Sequence, residues 1–191
     1  NLNKIFMQVN NINFKGEKMQ NDDVFVENKI VPTAELLKDE NLSVRRGYEQ
    51  TVISNNKIVN MVSNQYGHLP NEKFFLVIED KLINADVNYI TRSINREDKS
   101  FAVDYILNSD EHTIIVANGK DIIKPMLRFV NSYDGSNKTS GHFGYFRQVC
   151  TNGLHVAEMK VSFSVKHRGN IVDFVLPHID ELINTFLNNE Y

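Results

Sequence analysis

Apolar side chains recur at helical spacing in two segments of the chain. They fall every three or four positions from Asn71 to Asn84 and again from Ile171 to Leu187, which predicts two amphipathic helices. Pro70 lies directly before the first segment, where proline favours the start of a helix. Pro177 lies inside the second segment and predicts either a kink or a later start of that helix.

Most other apolar residues alternate with polar ones in short runs that end at turn-forming residues. The tight turn expected at Asn55-Asn56 separates two such runs. The predicted strands cover residues 51–54, 57–62, 86–95, 100–107, 112–117, 125–131, 143–150 and 159–166, with a helical turn over 32–37 and a polar loop over 132–142. Short turns between strands predict an α+β fold: a mainly antiparallel sheet with helices packed on one face, an N-terminal arm and a C-terminal amphipathic helix.

The N-terminal segment has a different composition from the rest. Residues 1–31 are rich in Asn, Lys and Gln with isolated apolar positions, which indicates an arm or peripheral hairpin that another surface must order. We therefore divide the chain into an arm, residues 1–45, and an α+β domain, residues 46–191. No apolar run approaches the roughly 20 residues of a membrane-spanning helix, so we expect no membrane partner.

Charge is unevenly distributed along the 191 residues, although the net charge is only -3. Residues 1–119 hold 13 basic and 17 acidic residues, residues 120–168 hold eight basic and three acidic, and residues 169–191 hold four acidic and none basic. A locally basic surface on an acidic protein can attract a polyanion. The alternative is that these charges scatter over a solvated sheet face and pair with acidic neighbours.

The basic stretch also holds aromatic residues at strand spacing. Alternation places Phe143, Tyr145 and Arg147 on one strand face, where rings could stack unpaired bases and cations could meet phosphate. The alternative is that these rings are core. The candidate nucleic-acid-binding residues are Lys138, His142, Phe143, Tyr145, Arg147, Lys166, His167 and Arg168, and the candidate loop-structuring residues are Asn131, Asp134, Gly135 and Asn152. The Asp134-Gly135 turn is expected to place its glycine at positive φ.

Motifs of familiar catalytic chemistry are missing from the sequence. Neither G-x-G-x-x-G, G-x-x-x-x-G-K-[ST], H-E-x-x-H nor G-x-S-x-G occurs. The single cysteine, Cys150, excludes an internal disulfide and a multi-cysteine zinc site, and we expect it to be a small buried side chain. We therefore assign no catalytic residue, no metal and no cofactor.

Four ordered sequence blocks resemble a known bacterial family. They are Val62-Ser-Asn-Gln-Tyr66 followed by Asn71-Glu72, Asn131-Ser-Tyr-Asp-Gly-Ser136, Arg147-Gln-Val-Cys-Thr-Asn-Gly-Leu154 and Val165-Lys-His-Arg-Gly-Asn-Ile171. The family is the phage/plasmid-like proteins, catalogued as domain of unknown function 932, and the similarity covers residues 48–175. The resemblance implies a mobile-element protein in the cytoplasm of a bacterial host, and it supplies no reaction.

These observations lead to one favoured function and two alternatives. We expect a non-enzymatic nucleic-acid-binding protein of a phage or plasmid that serves DNA replication or recombination, with single-stranded DNA as partner, by analogy with single-strand annealing proteins. We also expect a homo-oligomer. The first alternative is an assembly or protein-interaction module that docks through the terminal helix and the arm. The second is an enzyme acting on a nucleotide or phosphodiester through Asp134, His142, His167 and Cys150.

Overall fold

A computed structural model describes residues 12–14, 23–110, 113–116, 121–148 and 161–188. These residues form an α+β fold with antiparallel strand pairing throughout, as predicted. The strands are β1 (Ile12–Phe14), β2 (Asn28–Pro32), β3 (Gln50–Ser54), β4 (Lys57–Val62), β5 (Tyr89–Arg96), β6 (Ser100–Leu107), β7 (Ile114–Val116), β8 (Asp121–Ser132), β9 (Thr139–Gln148) and β10 (Val161–Val165). The helices are α1 (Asn71–Asn84) and α2 (Ile171–Leu187), and a 3-10 turn covers Thr33–Leu36.

The larger sheet has the strand order β1-β5-β6-β8-β9-β10, with β7 paired to the start of β8. Its register places Val103 of β6 opposite Phe129 of β8, and Tyr105 opposite Leu127. All four side chains are buried, and directly paired residues point to the same face of a sheet. This face is therefore the core side of the sheet.

Both helices cover the core side. On α1 the ring of Phe74 meets Phe129 edge-on at 5.9 Å, and on α2 the ring of Phe186 meets Phe143 at 5.3 Å. Burial of each such ring contributes about 2 to 3 kcal/mol. The predicted bounds of both helices are confirmed, but Pro177 does not mark the start of α2, which begins six residues earlier.

Gly141 sets how closely α2 approaches the sheet. A Cβ atom on Gly141 would lie 2.8 Å from Cδ2 of Leu182 and closer still to the ring of Phe163. The prediction of a polar loop over 132–142 is therefore wrong at its end, because Gly141 is a packing residue inside β9 and not a turn residue. The true loop is short and is closed by Ser132, whose hydroxyl accepts from the Asn137 N–H at 3.1 Å and donates to its carbonyl at 2.8 Å.

A smaller sheet has the order β2-β3-β4. Asn55 and Asn56 form its hairpin turn with φ of 46° and 60°, the left-handed conformation that a two-residue hairpin turn requires. The side-chain amide of Asn55 donates to Asp98 in the β5–β6 turn at 2.8 Å, so the tips of two hairpins are joined. Strand β2 comes from the segment that we assigned to the arm, and it pairs with β3 along its whole length.

Candidate nucleic-acid interface

Four rings, three of them from the sequence blocks, gather beside the ends of β8, β9 and β10. We call Tyr66, His68, Tyr133 and His167 the histidine–tyrosine cluster. The rings of Tyr66 and His167 are stacked, with centroids 5.3 Å apart and an interplanar angle of 9°. His68 lies 5.3 Å from Tyr133 and 6.5 Å from Tyr66. Residues 101 positions apart in sequence therefore belong to one continuous aromatic cluster.

Two buried asparagines hold the cluster in place from below. The Asn131 side-chain amide donates to the Leu69 carbonyl and to the Asn71 side chain, both at 2.8 Å. The Asn71 side chain donates to the Val24 carbonyl at 2.6 Å. These bonds tie two distant segments, residues 69–71 and the segment that holds Val24, to the end of β8. Asn131 was expected to structure the Asp-Gly loop, and in the structure its side chain fixes the loop that leads into α1.

The start of α1 is capped by the same cluster. The first N–H groups of a helix lack partners within it, and α1 has no side-chain cap of its own. The backbone N–H of Asn71 instead donates to the Tyr133 hydroxyl at 2.8 Å. Burial raises the pKa of Tyr133, so this phenol stays protonated at neutral pH.

The hydrogen bonds of His167 define its protonation. Its Nδ1 lies 3.1 Å from the carbonyl oxygen of Gly67, which can only accept, so Nδ1 carries the proton. Its Nε2 lies 3.2 Å from the Thr139 hydroxyl, whose single proton is donated to the Asn131 side-chain oxygen at 3.1 Å. Burial lowers the pKa of His167, which favours this neutral form at pH 7.

His68 is also neutral at physiological pH. Its Nε2 donates to the Asn28 side-chain oxygen at 2.7 Å. Burial, helped by the nearby His167 and Lys73, lowers the pKa of His68 to about 4. Two buried polar atoms of the cluster, His68 Nδ1 and the Tyr66 hydroxyl, have no hydrogen-bond partner among the described residues. Burial and the charge of Asp134 raise the pKa of Tyr66, so the cluster presents uncharged rings.

The Asp134-Gly135 turn lies beside Tyr66 and has the predicted geometry. Gly135 has a φ of +75°, and the Asp134 carboxylate accepts from the Ser136 N–H at 2.9 Å. The turn leads into Lys138 and then into β9.

Three exposed cations lie at the end of β9 and β10 where Thr139 contacts His167. Thr139 and Val165 form the last registered pair of these strands. Lys138 directly precedes Thr139 and Lys166 directly follows Val165, so both lysines lie just beyond that pair. Arg168 lies two residues further and donates to the Gln65 side chain at 3.0 Å. We call Lys138, Lys166 and Arg168 the basic end.

The loops that carry the cluster and the basic end touch backbone to backbone. The Gly169 N–H donates to the Gln65 carbonyl at 2.9 Å. A Cβ atom on Gly67 would lie 2.6 Å from the Gly169 carbonyl oxygen and 3.0 Å from the Arg168 nitrogen. Only glycine at position 67 allows this approach, so the two loops form one rigid unit.

Arg147 and Tyr145 lie at the other end of β9. Eight residues separate Arg147 from Thr139 along one strand, a distance of roughly 26 Å. Tyr145 is half-buried, with its ring 6.1 Å from Phe143. The predicted cations therefore divide between two ends of the strand, and the single surface expected from the sequence does not form.

Phe143 and His142 point to opposite faces of β9. Phe143 is fully buried in the core, which removes its ring from any stacking surface. His142 faces Arg128, which forms two hydrogen bonds of 2.6 Å and 2.8 Å with the buried Asp104. Burial and the charge of Arg128 lower the pKa of His142.

The residues proposed for an enzymatic site do not converge. His142 lies on the sheet face opposite Thr139, whose hydroxyl contacts His167, so these two imidazoles are separated by β9. Within the described ranges, no three His, Cys, Asp or Glu side chains are grouped closely enough to hold a metal ion. Cys150 and Asn152 lie outside the described residues.

Sequence reasoning missed five residues of the site: Tyr66, His68, Asn71, Tyr133 and Thr139. Three of them, Tyr66, Asn71 and Tyr133, belong to blocks that carry the family resemblance, and that membership was the signal available. His68 and Thr139 offered no comparable signal, because their roles depend on contacts with Asn28 and His167, 40 and 28 positions away.

Of the helices that the structure describes, none is long and apolar enough to span a bilayer. No solved structure matches the chain. A family model described as "Domain of unknown function (DUF932)" matches residues 59–181, a range that holds the whole histidine–tyrosine cluster and the basic end. The resemblance in the sequence blocks is confirmed, and the chain belongs to the DUF932 family.

Proposed function

We propose that the chain binds single-stranded nucleic acid, with single-stranded DNA as the main ligand, at the basic end and the adjoining histidine–tyrosine cluster. The observation that carries the proposal is that three exposed cations and a stacked, uncharged ring pair lie at the same end of β9 and β10. In this proposal the protein serves replication or recombination of a phage or plasmid in the bacterial cytoplasm.

The two groups of side chains have different tasks in binding. Lys138, Lys166 and Arg168 contact phosphates and release counterions, which gives affinity without sequence preference. Tyr66 and His167 are half-buried, and in this proposal a base stacks against the exposed part of this pair. Stacking on such a ring contributes about 1 to 3 kcal/mol per base. This pair takes the stacking role that the sequence assigned to Phe143 or Tyr145.

The chemistry of the cluster favours binding over catalysis. Both nitrogens of His167 face protein atoms, the Gly67 carbonyl oxygen at 3.1 Å and the Thr139 hydroxyl at 3.2 Å, and burial lowers the pKa of the ring, which keeps it neutral. A general acid or base needs a free nitrogen within reach of a substrate proton. The fixed rings instead form a preorganised surface, because the loops that carry them are joined through the backbone.

The test compares two charge reversals of equal size at the two ends of β9. The first variant is Lys166→Glu with Arg168→Glu, and the matched control is Lys124→Glu with Arg147→Glu. Binding of fluorescent single-stranded DNA is measured by anisotropy across about 50 to 500 mM salt, with duplex DNA and RNA in parallel. Thermal melts verify folding of each variant.

We expect the first variant to bind single-stranded DNA at least about tenfold more weakly and with a shallower salt dependence. The control should change affinity less than about threefold. An equal loss of affinity in both variants would show that binding depends only on the overall charge of the protein, and it would reject this site. Wild-type affinity that is insensitive to salt would reject the electrostatic account altogether.

A further inference from the structure

Strand β10 ends the larger sheet in the part of the chain that the structure describes, where β9 is its one partner strand. Its five residues, Val161–Val165, include no charged residue and no proline. Ser162 and Ser164 are exposed. Native sheet edges usually carry charges, prolines or bulges that prevent pairing with another chain. This strand lacks those features within its own length.

The sequence of β10 is a palindrome. Lys160 to Lys166 reads Lys-Val-Ser-Phe-Ser-Val-Lys in both directions, with Phe163 at its centre. We propose that β10 pairs antiparallel with β10 of a second copy of this chain, about a two-fold axis at Phe163. Each residue then meets its own kind, with Val161 opposite Val165 and Ser162 opposite Ser164. Such self-complementarity is what a two-fold interface requires.

Helix α2 extends the proposed dimer interface beyond β10. A cleft of about 270 Å³ separates α2 from β10 and is lined by Ser162, Phe163, Ser164, His178, Glu181 and Leu182. The His178 ring stacks on Phe163 at 5.5 Å, next to the proposed axis. Phe174, one helical turn before His178, is 62% exposed. A second copy would cover this ring and fill the cleft.

The lysines that flank β10 oppose this pairing. Lys160 of one copy would lie opposite Lys166 of the other, and like charges directly opposite destabilise a strand pair. Alternation puts Lys166 on the side of Ser162 and Ser164, whereas Phe163 packs against α2, so no carboxylate of α2 offsets this repulsion. The self-complementary strand and the exposed Phe174 ring favour a second copy as the occupant, and added salt should strengthen the dimer by screening the lysines.

An interface made of one five-residue strand pair and one exposed face of α2 buries a small area compared with most specific protein interfaces. We therefore expect a reversible dimer that forms with rising protein concentration. The interface goes beyond the proposed nucleic-acid binding and does not depend on it.

The test uses charge exchange at the exposed serines. One variant carries Ser162→Glu with Ser164→Glu, and the other carries Ser162→Lys with Ser164→Lys. Each alone places like charges opposite each other across the axis, whereas a mixture places opposite charges together. The matched control is Ser43→Glu with Ser136→Glu, two exposed serines outside β10. Mass is measured by sedimentation without nucleic acid, from about 1 to 100 µM.

We expect a concentration-dependent dimer for the wild type and the control, monomers for each variant alone, and a restored one-to-one dimer in the mixture. A monomeric wild type across the whole range would overturn the proposal, as would variants that associate like the wild type. Because all these chains keep Lys138, Lys166 and Arg168, their failure to dimerise leaves the nucleic-acid proposal standing. The DNA-binding test in turn does not measure the dimer.

Discussion

Strand β8 contributes side chains to two polar networks, from positions three residues apart on opposite faces. Arg128 holds the fully buried Asp104 in a two-bond ion pair on the face away from α1 and α2. Asn131, on the core face, holds Asn71 and the Leu69 carbonyl through neutral amide bonds. The ion pair links adjacent strands, whereas the amide network links segments 60 positions apart at the candidate site.

The difference shows two ways of satisfying polar groups in one sheet. A buried ion pair balances a large desolvation cost against attraction, so the loss of one partner is severe. Neutral amides cost less free energy to bury. When one amide is removed, the loss is mainly that of the hydrogen bonds it made. We expect the amide network to set the geometry of the interface and the ion pair to affect mainly global stability.

The largest effect should come from Asp104→Ala. This change leaves the Arg128 guanidinium without its carboxylate partner in a site where its side chain is only 26% exposed. The free energy of unfolding should fall by about 3 to 5 kcal/mol. Urea denaturation measures the loss. The isosteric change Asp104→Asn should retain part of the stability, and a loss below about 1 kcal/mol for the alanine variant would refute a stabilising ion pair.

Asn131→Ala should cost about 2 to 3 kcal/mol, because the Leu69 carbonyl and the Asn71 side chain lose a buried donor. In contrast to Asp104→Ala, it should also weaken binding of single-stranded DNA, since Asn131 fixes the loop before α1. Denaturation and anisotropy on the same sample separate the two effects. Unchanged binding by a folded Asn131 variant would place the network outside the interface.

Acidification should destabilise the folded chain through His68 of the histidine–tyrosine cluster. His68 has a pKa lowered to about 4 in the folded chain, so the unfolded chain binds more protons below its ordinary pKa of 6.5. Stability contributed by neutral His68 is therefore complete above about pH 6.5 and is lost as the pH falls toward 4. The loss should be on the order of 2 kcal/mol. Denaturation midpoints for the wild type and His68→Gln at pH 7, 5.5 and 4.5 check this, and parallel curves would contradict it.

Thr139→Val should have the smallest effect, about 1 kcal/mol. The threonine hydroxyl lies 3.1 Å from the Asn131 side-chain oxygen and 3.2 Å from His167, so it joins the amide network to the ring stack. Valine keeps the shape of the side chain and removes this link. The Nδ1 and Nε2 shifts of His167 in NMR spectra should move, while those of His142 stay fixed.

Local periodicity was sufficient to predict much of the fold. The helices at Asn71–Asn84 and Ile171–Leu187 and the Asn55-Asn56 turn depend on neighbours within a few residues. Strand β9 was misplaced at its start, because Gly141 could be read as a turn residue. Its role as a contact for Leu182 and Phe163 exists only in the packed molecule.

The site was harder to predict than the fold. Lys138, Lys166 and Arg168 are close in space, as expected from the basic stretch, but Arg147 belongs to the same stretch and lies at the far end of β9. The number of basic residues in a sequence stretch does not show at which end of a strand each one lies. For Phe143 and Tyr66, the sequence likewise did not show which ring is in the core and which belongs to the site. Phe143 is in the core because Phe186 of α2 packs against it.

The glycine contact between the Tyr66 loop and the segment after β10 separates the spacing of this region from its chemistry. Main-chain atoms meet there directly, because a Cβ atom at position 67 would lie only 2.6 Å from the Gly169 oxygen. The distance between the two loops is therefore set by the backbone and not by the side chains that they carry. Substitutions at exposed positions such as Lys166 and Arg168 can change the charge of this end while the two loops keep their spacing.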